Sequence, residues 1–223
     1  MPIPACNEDK AAFDLHSSEF AKSFYVTYGK RTLDILGSVG GLLTFLPVLA
    51  VIALSIKLTS RGPTFFRQIR VGRKGRPFSV LKFRSMYLDA AQDGPAITIA
   101  GDNRITPIGR FLRRFKLDEL PQLWNVLRGD MSLVGPRPEV PVYVAHYTPE
   151  QRIVLSVRPG ITDPSSLAYR REEDILASAS DPEKFYRTRI LPDKLARSNA
   201  YLQNVTLCGD IQIIFKTIIS SFF

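Results

Sequence analysis

Asp118 and Glu119 set two carboxylates side by side in the stretch KLDELPQLWN (116–125) of a chain that is otherwise strongly basic. Arg110, Arg113 and Arg114 come just before the pair. Two more arginines follow in stiff turns: Arg137 in Gly-Pro-Arg-Pro (135–138) and Arg158 in Arg-Pro-Gly (158–160). Proline fixes its own φ and restricts the residue before it, so each of these guanidinium groups has a preset direction. A planar guanidinium held still suits two-pronged recognition of phosphate better than a flexible lysine does. The sequence has no Gly-x4-Gly-Lys-Ser/Thr loop that would cradle a phosphate instead. The carboxylate pair also has a plainer reading. Asp118 could cap the helix that follows, Glu119 favours the positive end of its dipole, and Pro121 would fall in the first turn.

Elements upstream must bring these groups together. Gly-Pro and Arg-Lys-Gly-Arg-Pro turn signals bracket two short runs, which predicts a β-hairpin over Thr64–Arg70 and Pro77–Phe83 with its turn at Gly72–Arg76. Its second strand closes with Lys82-Phe83-Arg84-Ser85-Met86. Basic residues at that strand end either bind phosphate or form a solvated face near an anionic membrane. Asp89–Arg104 reads as a surface loop. Ile105–Phe115 reads as a helix entered at Pro107, with arginines toward its C-terminal end as the dipole prefers.

Between Asp34 and Lys57 lies ILGSVGGLLTFLPVLAVIALSI, about twenty residues without a charge, the length of a membrane helix. The polar residues before it do not form a cleavable signal peptide. Pro47 in its middle removes a backbone hydrogen bond and favours a kink. Both flanks are positive, with Lys30 and Arg31 before and Lys57, Arg61, Arg67 and Arg70 after. Positive flanks stay on the cytoplasmic side, so a helix that enters, bends at Pro47 and leaves on the same face satisfies both observations. Near the C-terminus, apolar residues recur at helical spacing over Asp210–Ile219. An interfacial amphipathic helix and ordinary core packing explain them equally well.

The chain has 223 residues, 30 Lys and Arg against 21 Asp and Glu, and a net charge of +9. Such a balance points to an anionic partner: nucleic acid, a phospholipid surface or a phosphorylated substrate. No nucleic-acid motif is present, and that class leaves the apolar segment unexplained. A non-catalytic membrane scaffold would explain the segment but not the arginine-flanked carboxylates. Cys6, Cys208, His16 and His146 are too few and too scattered for a zinc site or a disulfide framework.

Taken in order, Lys30-Arg31…Asp34, the proline-interrupted apolar segment, LKFRSM (81–86), LDELPQLWNVLRGDMSLVGPRP (117–138) and RPGIT (158–162) closely resemble the bacterial sugar transferase family, the monotopic phosphoglycosyl transferases. The resemblance runs from about Tyr28 to near the end of the chain. It implies an α+β, mainly helical monotopic membrane protein. A polar tail (1–27) would precede one Pro-broken re-entrant helix (28–60) and a cytoplasmic catalytic domain (61–223) with the small hairpin and interfacial helices. It implies transfer of a sugar-1-phosphate from a UDP-sugar to polyprenyl (undecaprenyl) phosphate with release of UMP, at the cytoplasmic face of a bacterial inner membrane. The partners implied are those two substrates and membrane phospholipid, with no nucleic acid; a homo-oligomer is left open. The cofactor implied is Mg²⁺.

Carried over residue by residue, the resemblance makes Asp118 the nucleophile that takes up the phospho-sugar and Glu119 its dyad partner, the two together being the candidate Mg²⁺ ligands. Lys82, Arg113, Arg137 and Arg158 become candidate phosphate contacts, and Asp210 an accessory acidic position. A carboxylate that attacks phosphorus splits one transfer into two, and the charge that builds up calls for cations. This chain departs from many relatives after RPGIT, where it reads Asp163-Pro164-Ser165-Ser166, which bears on substrate preference. At the helix break it has Leu46-Pro47 where the family often has Ser-Pro.

Overall fold

A computed structural model of the chain describes residues 25–88 and 97–222. Most of the expected polar tail, and residues 89–96 of the expected loop, lie outside them. A π-helical turn, Tyr25–Gly29, leads into α1, Lys30–Thr59, which continues through Pro47. This helix is long and apolar enough to cross a membrane. Its contacts, however, fall in two zones on one body. Near the start, Asp34 and Ser38 are buried, and Cβ atoms added at Gly37 and Gly41 would meet Leu133 and Leu123. Farther along, Ile52 and Ile56 join Phe83 and Leu112 in a core cluster, with Leu49 and Ala53 against it. The stretch between the zones in which every residue is exposed is only 43–48.

The hairpin forms as expected, β1 at Phe65–Val71 and β2 at Pro77–Phe83, paired antiparallel from Phe65↔Phe83 to Val71↔Pro77. Lys74 and Gly75 both take positive φ at its tip, which reverses the chain in few residues. Helix α2, Pro107–Arg114, is capped by Thr106, whose hydroxyl accepts from Gly109 N at 2.9 Å. Gly109 also lets α2 lie on the backbone: a Cβ there would sit 2.0 Å from Ser85 O.

After α2 the sequence expectation fails locally. Lys116 takes a left-handed conformation (φ 56°), and Leu117–Glu119 form a 3₁₀ turn rather than the entry to a helix. Helix α3 begins only at Gln122 and runs to Arg128, with Pro121 before it and no side-chain cap. Asp118 is therefore not a capping residue, and neither carboxylate is spent on the N–H groups of α3.

Beyond α3, β3 (Ser132–Val134) pairs in parallel with β4 (Gly160–Thr162). Gly135 and Gly160 make this possible. A Cβ on Gly160 would fall 2.1 Å from Gly135 N, so the two backbones touch where no side chain fits. Short helices follow: α4 (Pro141–Val144), α5 (Pro164–Ala168), α6 (Glu172–Ala177) and α7 (Pro182–Phe185). Two longer ones complete the fold, α8 (Leu191–Gln203) and α9 (Leu207–Phe222). The chain is thus mainly helical with two small sheets among the described residues, as the α+β expectation has it. The largest core cluster joins Val71, Val140, Tyr143, Val144, Tyr186 and Leu195 among others. Core packing accounts for one face of α9 and leaves the other exposed. Ile213 and Ile214 pack against Val134, Tyr201 and Leu202, while Ile211, Phe215, Ile218 and Ile219 are exposed.

Candidate active site

The 3₁₀ turn buries both carboxylates, leaving Asp118 7% and Glu119 8% exposed. Buried charge must be paired or neutralised, and the two residues solve this in opposite ways. Glu119 is held by two cations. Lys82 Nζ donates to its Oε1 at 2.9 Å, Arg137 Nη1 donates to Oε2 at 3.2 Å, and Arg137 Nη2 donates to Oε1. Asp118 Oδ1 is buried with no hydrogen-bond partner. The titration behaviour diverges accordingly. Burial, and then the charge of Glu119, push Asp118 above the usual carboxylate range despite Lys82, Arg113 and Lys116 nearby. Burial would raise Glu119 too, but Arg137 and Lys82 outweigh it and hold that carboxyl well below its usual range. Lys82 is lowered by burial, with Glu119 opposing. A carboxylate with a free oxygen thus lies beside two cations already engaged by its neighbour.

Each participant is placed by contacts remote in sequence. Lys82 sits at the end of β2, and β2 is fixed to α3 by Asn125. That side chain accepts from Leu81 N at 2.9 Å and donates to Ser79 O at 2.8 Å, filling the strand edge that β1 leaves open. Asn125 is 3% exposed, and its own carbonyl accepts from Gly129, Asp130 and Met131. Arg137 is fixed from behind. Arg70 Nη1 donates to Pro138 O at 3.1 Å, and the Tyr186 hydroxyl donates to buried Glu139. Helix α1 grips the far end of α3, where Arg31 donates to Val126 O at 2.7 Å and Leu127 O at 2.9 Å, among the last carbonyls of the helix. Asp34 takes Leu133 N at 2.8 Å and the Ser132 hydroxyl at 2.9 Å, anchoring α1 to β3.

The other candidates lie elsewhere or are otherwise engaged. Arg113 pairs with Glu173 at 2.8 Å, although its charge is felt at Asp118. Arg158 donates to Gly129 O at 2.9 Å, and the charges it feels are those of Arg31, Arg73 and Asp34 rather than the carboxylate pair. Asp210, 0% exposed, accepts from Lys30 and from the hydroxyls of Tyr25 and Tyr201, each at 2.6 Å. That cluster ties the start of α1 to α8 and α9. The sequence left Asn125 and Glu139 unremarked, and it noted Asp163 only as a departure bearing on substrate preference. Asp163 caps α5 through Ser166 N at 2.7 Å and accepts from Ser198 of α8 at 2.8 Å. A polar residue inside an apolar helix pattern was the available signal for Asn125.

Among the described residues no three His, Cys, Asp or Glu side chains gather as a metal cluster. Mg²⁺ does not require one, since it binds through one or two carboxylates and completes its shell with water and substrate phosphates. The orphaned Asp118 Oδ1 fits that demand; Glu119 fits it only on giving up a cation.

The bacterial sugar transferase family matches residues 25–223. A UDP-glucose:undecaprenyl-phosphate glucose-1-phosphate transferase of Caulobacter vibrioides is 41% identical, the match covering 85% of this chain and 68% of that protein. A UDP-N-acetylgalactosamine-undecaprenyl-phosphate N-acetylgalactosaminephosphotransferase of Aeromonas hydrophila is 40% identical over 85% of this chain but only 42% of its own length. The exopolysaccharide production protein PSS of Rhizobium leguminosarum bv. phaseoli is 40% identical, covering 86% and 94%. The chain therefore spans less than half of the Aeromonas relative and nearly all of the Rhizobium one. With the match running from the π turn through α9, and so across every element that builds the carboxylate site, the chain belongs to the bacterial sugar transferase family.

Proposed function

We propose that the chain moves a sugar-1-phosphate from a UDP-sugar to polyprenyl phosphate, the initiating step in assembling an exopolysaccharide, O-antigen or other glycoconjugate. The observation that carries this reading is the pairing of one free carboxylate oxygen, on Asp118, with two cations gathered at its neighbour. In the first half-reaction an Asp118 oxygen attacks the phosphorus that bears the sugar. The bond from that phosphorus to the bridging oxygen of the diphosphate breaks, and UMP leaves. In the second, a phosphate oxygen of the polyprenyl carrier attacks the same phosphorus, releasing the Asp118 carboxylate and forming a polyprenyl diphosphate sugar. Lys82 and Arg137 bind and orient phosphate oxygens. Asp118 and Glu119 would hold Mg²⁺, which when bound neutralises charge on those oxygens. Relatives of near-equal identity name glucose in one case and N-acetylgalactosamine in another, so the sugar is a matter for a donor screen.

The same reading places the site at a membrane surface on the cytoplasmic side. A helix crossing the bilayer needs about 20 residues to traverse roughly 30 Å of hydrocarbon. Exposed apolar side chains on α1 run from Ile35 to Leu58, but contacts to one body lie on either side of the fully exposed stretch 43–48. That supports an α1 which dips into the lipid around Pro47 and returns. The exposed apolar face of α9 gives a second contact with lipid. Purified protein mixed with UDP-sugars and undecaprenyl phosphate should release UMP, and Asp118→Asn should abolish release while leaving the protein membrane-bound. Release near the wild-type rate from that variant would sink the assignment.

A further inference from the structure

Glu119 is the most heavily bonded carboxylate at the site, and the two cations it holds are the ones a substrate phosphate would need. Two carboxylate oxygens on a guanidinium fork present the geometry that a phosphate presents. We infer that Glu119 fills the phosphate subsite of the ligand-free protein, and that an incoming phosphate takes Lys82 and Arg137 from it. This rests on the phosphoryl-transfer reading above and adds a competition to it.

The surroundings let side chains exchange while backbones stay in place. Glu119 N donates to Lys116 O at 3.2 Å, inside the 3₁₀ turn. Arg137 is backed by the Arg70 contact to Pro138 O and by the Tyr186–Glu139 bond. Lys82 is backed by the Asn125 amide on Leu81 and Ser79. The exchange is therefore a change of rotamer at Glu119, with both cations kept in position for the new anion. A ligand that binds only the form with Glu119 withdrawn has its apparent affinity reduced by the fraction of that form. Glu119 thus weakens phosphate binding in the free protein, even though its loss should also harm turnover.

The test is equilibrium binding of UMP to the full chain in detergent with EDTA present, so that no metal takes part. Four forms are compared: wild type, Glu119→Gln, Arg137→Ala and the double variant. Charge-assisted hydrogen bonds are about twice as strong as neutral ones, so the isosteric amide should release the cations and tighten UMP by about tenfold. Glu119→Ala, which removes the carboxylate without leaving an amide, should tighten it as well. Removing any negative charge near an anion site also helps at a distance. The Arg137→Ala background separates the two causes, because the gain should shrink there by about threefold or more once the contested contact is gone. Unchanged or weaker binding by Glu119→Gln and Glu119→Ala overturns the competition, as does an equal gain in both backgrounds. Absence of UMP binding in every form overturns the competition, whereas the phosphoryl-transfer reading fails only if UMP release from UDP-sugars is also absent with Mg²⁺ present.

Discussion

Replacing Asn125 with alanine should loosen the site without touching any residue that meets substrate. Its amide satisfies Leu81 N and Ser79 O on the outer edge of β2, and both would lose their partner at once. An orphaned buried polar group costs about 1–3 kcal/mol, so the pair costs about 2–6 kcal/mol, the lower end applying if water enters the vacated space. In a domain of this size each kcal/mol lowers the melting temperature by about 2–4 °C, which makes a drop of at least about 4 °C the expected result. Lys82 directly follows Leu81, so the loosened strand should also weaken its grip on phosphate. UMP release measured well below the transition should show a raised KM for the sugar nucleotide. Asn125→Asp keeps the acceptor for Leu81 N but sets an oxygen against Ser79 O, and should be no better than alanine at neutral pH. Scanning fluorimetry in detergent with steady-state UMP release reads both quantities. An Asn125→Ala protein that melts within about 2 °C of wild type and turns over normally would refute the claim that this amide holds the hairpin to the site.

Three further outcomes follow from the same contacts. Burial and the Glu119 charge raise the Asp118 carboxyl, so ionised Asp118 binds its proton more tightly in the folded protein than in the unfolded chain. Stability should then fall as pH rises from the ordinary carboxylate range through the raised value. Asp118→Asn should lack that fall, melting above wild type at pH 8 in EDTA and level with it at pH 4; a gain that persisted at pH 4 would point to another cause. Arg137→Lys should keep the charge but lose the fork, at about 1.5–3 kcal/mol or roughly ten- to a hundredfold in kcat/KM, and wild-type kinetics would make the fork idle. For α1, single cysteines at exposed Thr32 and Leu58 in a background lacking Cys6 and Cys208 should both label only from the cytoplasmic side of sealed spheroplasts. Pro47→Leu, which removes a defect of about 3 kcal/mol, should expose one of them outside. Periplasmic labelling of either in the otherwise unaltered helix contradicts the re-entrant account.

The parts of the fold that were legible in the sequence are those whose causes are local. The Arg-Lys-Gly-Arg-Pro turn marked the hairpin, and β1 at Phe65–Val71 falls one residue from its expected span. Pro107 marked the start of α2 for the same reason, its φ being preset, and the helix runs Pro107–Arg114 within the expected Ile105–Phe115. The 3₁₀ turn was not legible, because it depends on Lys116 adopting a left-handed conformation that lysine does not advertise. The β3–β4 pairing was not legible either. Strands of three residues show no alternation, and the Gly135–Gly160 contact that joins them spans remote parts of the chain. At the site, adjacency in sequence located Asp118 and Glu119, but their different fates are decided by Lys82 on a strand and Arg137 on a turn. Arg158 and Asp210 show the opposite case. A stiff turn and an acidic position were visible, but their partners, Gly129 O and the Lys30–Tyr25–Tyr201 cluster, were not.

The central claim, that Asp118 carries the sugar phosphate between the two half-reactions, is open to one direct measurement. Wild-type protein is incubated with a UDP-sugar donor and Mg²⁺ in the absence of polyprenyl phosphate, quenched, digested and read by mass spectrometry. The account predicts that the peptide containing Leu117–Arg128 gains the mass of one sugar phosphate, with fragmentation placing it on Asp118. It also predicts that added polyprenyl phosphate discharges it and that Asp118→Asn never acquires it. A sugar phosphate found on any other residue, or catalytic UMP release by Asp118→Asn, would contradict the account.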